Sequence, residues 1–288
     1  PRTWIPYAGS AVALATRHGK ERVIARPLRA ALALELHHAA AVDTDQLGSF
    51  SGERPRPADA LTTCRIKAER GMEALGLDLG IASEGAFGPH PLVPLLPVGQ
   101  EWMVFVDRRN DLVISERQLS RSTNYSSCTG ADPASIAPWL RQVGFPSHAV
   151  MVRPHHRDRC SSTWLAKGVH DPNELAVCID QAARASEHGL AWVETDMRAH
   201  CNPTRMAQIR RVAFLLARRL SSRCPSCGAP GWGLLEVLPG LPCAQCGLAT
   251  ELVRAELHGC GCCSHRREQP RRDRRRNADP QHCAYCNP

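Results

Sequence analysis

The sequence predicts an α/β protein, a mixed-sheet domain with helices on both faces, followed by a small module held together by cysteines. Three observations carry this. Up to residue 220, short apolar runs of strand length alternate with stretches of good helix formers. Nine of the 14 cysteines fall after residue 223, so the two parts rest on different chemistry. The whole formal excess of +8 also sits in the last 84 residues: residues 1–204 carry 22 basic and 22 acidic side chains, and residues 205–288 carry 14 and 6. The expected division is residues 1–220 and residues 221–288.

The elements follow in order. Ala11 to Thr16 is a short apolar run, readable as a buried strand, and RHGK, residues 17–20, is a polar loop. Glu21 to Ala31 reads as a helix, with Pro27 expected to kink it. Leu34 to Ala40 is a second strand, and Asp43 to Glu53 a long polar loop. Ala58 to Leu75 has helix formers throughout, with Gly76 as the stop. Leu77 to Ser83 is a strand that ends at Glu84. Trp102 to Asp107 and Leu112 to Ser115 form a hairpin. A short helix, Ile136 to Val143, ends at Gly144, and Ala149 to Val152 is another strand. Asp171-Pro172 is a helix cap with Glu174 completing a capping box, and that helix runs to about Ala185. The apolar stretch from Leu190 to Val193 precedes a last helix, which Asn202-Pro203 starts in the same way.

The cysteine spacing carries metal chemistry. Cys224 and Cys227, then Cys243 and Cys246, give C-x2-C, fifteen residues, C-x2-C. That is zinc-ribbon spacing: each knuckle sets two thiolates on one side of an ion, and two knuckles complete a tetrahedron. Cys260 with Cys263, and Cys283 with Cys286, repeat the knuckle, with Cys262 spare and His265 and His282 as substitute ligands. Sequential pairing of knuckles gives two four-cysteine sites; interleaved pairing is the alternative. One or two structural zinc ions are expected, saturated by protein ligands and without an open coordination position. The arginine-rich stretch 266–276 reads as a mobile loop between knuckles. Cys64, Cys128, Cys160, Cys178 and Cys201 show no ligand spacing.

Several classes are excluded. No apolar run reaches the length of a membrane span. The opening PRTWIPYAGS lacks a basic stretch followed by an apolar core, so no secretory leader is expected and the expected compartment is the cytoplasm. There is no P-loop, no G-x-G-x-x-G after a strand and no G-x-S-x-G elbow. The basic C-terminal part could meet nucleic acid or an acidic protein. Two sites of four thiolates and one divalent ion would, however, halve its excess charge to +4, so formal charge alone does not establish that partner.

Polar clusters recur at the carboxyl ends of the strands, where open α/β sheets bind ligands. Thr16, His18 and Lys20 follow the first strand, Glu84 another, and ETDMRAHCNPTR, residues 194–205, a third. In that last stretch Asn202 and Pro203 serve as a helix cap, which leaves Glu194, Asp196, Arg198 and His200 unexplained. If the strand continues, Glu194, Asp196 and Arg198 share one face. A structural Asp–Arg pair at a strand end is the alternative to a site.

The segments ATRHGKERVIARPL, DTDQLGSFSGE, LGIASEGAFGPHP, VETDMRAHCNPTRM and HCAYCNP together resemble an uncharacterised bacterial family, a domain of unknown function with a C-terminal zinc ribbon, which brings no activity with it. Residues 11–185 also resemble the house-cleaning nucleoside triphosphate pyrophosphatases in the order of their motifs. TRHGK, residues 16–20, stands where those proteins have T-x-N-x-x-K, one residue shorter and with His18 for Asn. Glu53 stands in the acidic loop, CRIKA, residues 64–68, in the following helix, and IASEGA, residues 81–86, near the G-x-E-G-G strand. WMVFVD, residues 102–107, matches W-x-x-V-x-D, and KGVHD, residues 167–171, keeps little of G-x-x-T-x-G. This resemblance implies a metal-dependent phosphohydrolase. Glu53, Glu84, Asp107 and Asp196 would be its carboxylates, holding Mg2+ or Mn2+ and a water for in-line attack. Thr16, His18, Lys20, Lys67 and Arg198 would face a nucleotide's phosphates. A nucleotide- or nucleic-acid-binding protein without turnover is the alternative.

Overall fold

The computed structural model describes residues 6–48, 54–90, 93–156 and 164–287; Glu53 and Cys160 lie outside them. These residues form a mixed α/β structure with three sheets and five α-helices. The first sheet has the order β2-β1-β3-β4-β5, built from Glu35–His38, Ala11–Ala15, Leu79–His90, Val93–Asp107 and Leu112–Ser120. β1 runs parallel to β2 and β3, while β4 and β5 return antiparallel.

Helices cover both faces of this sheet, and the alternation along each strand explains how. Val12, Leu14, Ile81, Met103 and Phe105 join the core beneath α1 (Glu21–Leu32) and α5 (Pro203–Leu220). Their neighbours Ala13, Ala82, Val104 and Val106 face α2 (Ala60–Leu75). The second set is small where the helix crosses: a Cβ on Gly71 would lie 2.8 Å from the Ala15 Cβ, and one on Gly80 2.5 Å from Met72. α2 therefore lies close against β1 and β3. Asp59 caps it, accepting from the backbone N–H groups of Leu61 and Thr62. Pro27 sits on the buried face of α1 without ending the helix.

The strands before residue 220 divide between two sheets, which the alternation of elements does not announce. The second sheet, β6-β9-β7-β8, is antiparallel and built from Ser127–Gly130, Ala191–Thr195, Val150–Pro154 and Ala166–Val169. α3 (Ala137–Val143) and α4 (Pro172–Arg184) pack on it through Leu140, Leu175 and Ile179. Asp171 caps α4 as expected. The third sheet, β10-β11-β12, spans Gly233–Pro239, Val253–Gly259 and Arg266–Pro270. This corrects the reading of 266–276 as a mobile loop: its first half pairs with β11 from Gly259↔Arg266 to Ala255↔Pro270. Charged side chains and Pro270 suit an edge strand, where they discourage further pairing.

Candidate functional site

Two features stand out: a charged cluster at the carboxyl end of β1, and the cysteines.

From β1 the chain passes through α1 on one face to β2, and from β2 through α2 on the other face to β3, so the strands that follow β1 lie on its two sides. The crevice outside the carboxyl ends of β1 and β3 is thus a topological switch point, where open α/β sheets place ligands. β1 ends at Ala15, opposite Ala82, while β3 continues beside the gap. Into this gap comes Lys20, carried by a loop in which His18 (φ 66) and Gly19 (φ 71) are both left-handed. His18 is not a glycine, so the loop holds backbone strain.

Lys20 is 6% exposed, and among the described residues its ammonium donates only to the Ser83 carbonyl and hydroxyl, both at 3.2 Å. Burial, followed by the charge of Arg205, lowers it to about 8, and the carboxylates of Glu84 and Glu101 oppose that fall. On the α2 side, Glu84 accepts from Lys67 Nζ at 2.6 Å and from Arg56 Nε at 2.9 Å, and Arg56 also bonds the Gly85 carbonyl. Burial works against the Glu84 carboxylate, but Lys67 and Lys20 hold it below the ordinary range. On the α5 side, Arg205 Nε donates to Glu101 Oε1 at 2.7 Å, and the guanidinium lies 5.2 Å from the centre of the Phe87 ring. Glu101 Oε2 is buried and has no hydrogen-bond partner among the described residues. Gly85 makes this arrangement fit, since a Cβ there would lie 2.6 Å from Glu101 Oε1 and 2.8 Å from Arg205 Nη2.

The stretch 194–205 arrives from the second sheet. β9 ends at Thr195, so the shared strand face expected for Glu194, Asp196 and Arg198 does not form. Instead the chain turns, and Asp196 accepts from the Arg198 backbone N–H at 2.9 Å and from Nη2 at 2.6 Å. Asn202 caps α5 through the Arg205 N–H, which aims Arg205 at Glu101. His200 stacks on His18, ring centres 4.8 Å apart, and His18 Nε2 lies 3.2 Å from Asp45 Oδ1. Burial and then His18 push the His200 imidazole below its ordinary value. The turn between β9 and α5 thereby packs against the β1–α1 loop.

The structure brings Lys20, Lys67 and Glu84 together, with buried Thr16 at the mouth of β1 and His18, Asp196 and Arg198 in the facing loops. It does not bring Asp107 to them. Asp107 pairs with Leu79, five residues back along β3 from Glu84, about 17 Å at strand rise. There its buried carboxylate caps the hairpin turn through the Arg109 N–H and the Asn110 amide. Sequence reading missed Glu101, Arg205 and Arg56. Glu101 has the parity of Met103 and Phe105, so it is a charge on a core-facing position. Arg205 likewise lies on the buried stripe of α5 with Ile209 and Val212.

Among the described residues, the only groups of three or more Cys, His, Asp or Glu placed to share one ion are two four-cysteine clusters. Their pairing is interleaved, correcting the sequential order: Cys224, Cys227, Cys260 and Cys263 form one, and Cys243, Cys246, Cys283 and Cys286 the other. Sγ···Sγ separations of 3.8 and 3.6 Å in the first, and 3.9 and 3.6 Å in the second, match the edge of a tetrahedron about 3.8 Å long that a 2.3 Å metal–sulfur bond demands. The first two knuckles are built alike. Gly228 N–H bonds the Cys224 carbonyl and Gly247 N–H the Cys243 carbonyl, each at 2.9 Å, with both glycines at positive φ. In the fourth, the N–H groups of Cys286 and Tyr285 draw the Cys283 thiol down to about 7. Cys262 belongs to neither cluster, and His265 stacks on Trp232 rather than substituting as a ligand. The clusters fit a zinc-binding module.

This α/β chain with its cysteine module belongs to the family described as a domain of unknown function (DUF6671), which matches residues 67–288. The matched stretch holds Lys67, Glu84, Glu101, Arg205 and all eight clustered cysteines, whereas the Thr16–Lys20 loop precedes it. A comparison with curated proteins gives no match. No helix among the described residues is long and apolar enough to cross a membrane.

Proposed function

We propose that the β1–β3 switch point receives a phosphate group of a small ligand, a nucleotide being the class that the pyrophosphatase resemblance implies. Lys20 carries this reading. A buried ammonium is costly unless an anion pairs with it, and among the described residues this one has only the neutral Ser83 as a hydrogen-bond partner. Among the described residues four cations, Lys20, Lys67, Arg56 and Arg205, face two carboxylates, Glu84 and Glu101, leaving a surplus that a phosphate would neutralise. The uncapped N-terminus of α1 begins at the same residue and adds its dipole.

Hydrolysis is the second reading, and Glu101 Oε2 favours it: a buried carboxylate oxygen without a donor is one that a divalent cation would satisfy. Glu84 is less suited, because both its oxygens are already held by cations. Each cysteine cluster would hold one structural zinc, its tetrahedron filled by protein thiolates.

The test is thermal stabilisation by inorganic phosphate, pyrophosphate and a nucleotide panel, with phosphate release followed in parallel with and without Mg2+ or Mn2+. Stabilisation that Lys20→Met weakens at least tenfold, without release, supports a receptor. Metal-dependent release abolished by Glu101→Gln supports a hydrolase. Neither stabilisation nor release, in a folded and metal-loaded chain, sinks both readings.

A further inference from the structure

α1 and α5 lie side by side on one face of the first sheet, and their outer surfaces are strongly basic. α1 exposes Arg22, Arg26 and Arg29 at i, i+4 and i+7, one stripe of the helix. α5 exposes Arg210, Arg211, Phe214 and Arg218, again one stripe. Against these six arginines the two helices carry a single acid, Glu21, and α5 carries none in 18 residues. A solvated helix face ordinarily mixes both signs and forms i, i+4 pairs. Here none of the six guanidinium groups has a hydrogen-bond or ion-pair partner among the described residues. Two grooves run along this layer and share Arg22. One, of about 690 Å3, lies between α1 and β2 and is lined by Arg26, Arg29 and His38; the other, of about 430 Å3, lies between α1 and α5 and is lined by Arg210 and His200.

We infer that the α1–α5 layer is a docking surface for single-stranded nucleic acid, whose phosphates run along the arginine stripes and whose bases reach Phe214. Charge complementarity selects a polyanion: unpaired arginines over two adjoining grooves match a chain of regularly spaced phosphates better than a single anion. Phe214 selects the single strand. It is 55% exposed, sits between Arg211 and Arg218 on the stripe, and has no ring partner among the described residues, so an unpaired base can stack on it. A duplex offers no such base. Its major groove admits a projecting helix, whereas these helices lie flat, each with one side buried in the core. At the end of α5 the surface meets the cysteine module, where Arg218 lines a groove with Gln269 and Arg272, and the inference is independent of phosphate binding at Lys20.

The test is fluorescence anisotropy of a labelled mixed-sequence 20-mer, with the full metal-loaded chain titrated at several salt concentrations. Arg22→Gln with Arg26→Gln, and Arg210→Gln with Arg211→Gln, should each weaken binding about tenfold or more, and each should lower the salt slope by about 1.4. Phe214→Ala should weaken it about fivefold or more. The triple change Arg274→Gln, Arg275→Gln, Arg276→Gln in the cysteine module should stay within twofold. All these side chains are exposed, so the variants should keep the wild-type Tm. The inference is overturned by wild-type affinity in both helix variants, or by a loss confined to the module triple, which would place the nucleic acid there. It is equally overturned if a duplex of the same length binds as tightly, or if polyglutamate competes as well as the oligonucleotide, which would point to an acidic protein.

Discussion

Replacing Lys20 by Met should stabilise the protein while removing its anion affinity. Burial, then the charge of Arg205, lowers the ammonium to about 8 from 10.5. At about 1.4 kcal/mol per pKa unit, the folded state bears roughly 3 kcal/mol of charging cost at pH 7. Methionine has similar length, fills the same space and carries no charge. It also gives up two hydrogen bonds to Ser83, both long at 3.2 Å, which together offset about 1 kcal/mol. The net gain is about 2 kcal/mol, or about 4–8 °C in Tm for a structure of this size. The pH dependence isolates the cause. Because the folded value lies below the unfolded one, the unfolded chain binds the extra proton between about pH 8 and 10.5. Wild-type stability should therefore gain a rising contribution through that window, and Lys20→Met should lack it. Urea unfolding of both proteins from pH 7 to 10, with metal loading held constant, measures the difference. A variant less stable than wild type at pH 7, or a difference that does not change with pH, would refute the argument.

Three further outcomes are expected. Arg205→Met leaves Glu101 buried without its partner and should cost about 3–5 kcal/mol in chemical denaturation, whereas adding Glu101→Leu should recover most of that loss; equal costs for the single and double variants would deny the pair. Gly71→Ala places a Cβ 2.8 Å from Ala15 and should cost about 1–3 kcal/mol by pushing α2 off the sheet, with a neutral result showing that the helix can shift freely. Metal content measured by mass spectrometry should fall from two ions to one in Cys227→Ser/Cys260→Ser, and to none in Cys227→Ser/Cys246→Ser; sequential pairing would give the opposite pattern.

The legible parts of this protein are those with local physical causes. Asp171-Pro172 and Asn202-Pro203 start their helices as read, because a cap is a property of four neighbouring residues. The knuckles are legible for the same reason, whereas their pairing depends on how β10, β11 and β12 fold back. β3 continues through His90, past the polar Glu84, because β4 continues opposite it as far as Val93. Glu84, Lys67 and Lys20 do converge; the strand-end argument named Glu84 and Lys20, and the pyrophosphatase resemblance named Lys67. Glu101 and Arg205 escaped it because each is a charged residue within an apolar pattern, and only their contact at 2.7 Å, 104 residues apart in sequence, gives them a meaning. Asp107 went the other way: a carboxylate at the end of an apolar strand looks like a site, but the strand runs antiparallel to β3 and delivers it to the far edge.

The interleaving of the cysteine clusters also bears on how the protein is made. With sequential pairing, an ion could be enclosed once Cys246 had been synthesised. Here the first cluster waits for Cys263 and the second for Cys286, so the first ring closes 36 residues after the first knuckle ends at Cys227. At about 5–20 residues per second of synthesis, the early thiols spend roughly two seconds or more without their full complement. Each ring, once closed, encloses a knuckle of the other. The two sites are therefore not independent beads on the chain: the first closes around two thiols of the second, and neither can load its metal before synthesis has passed Cys263.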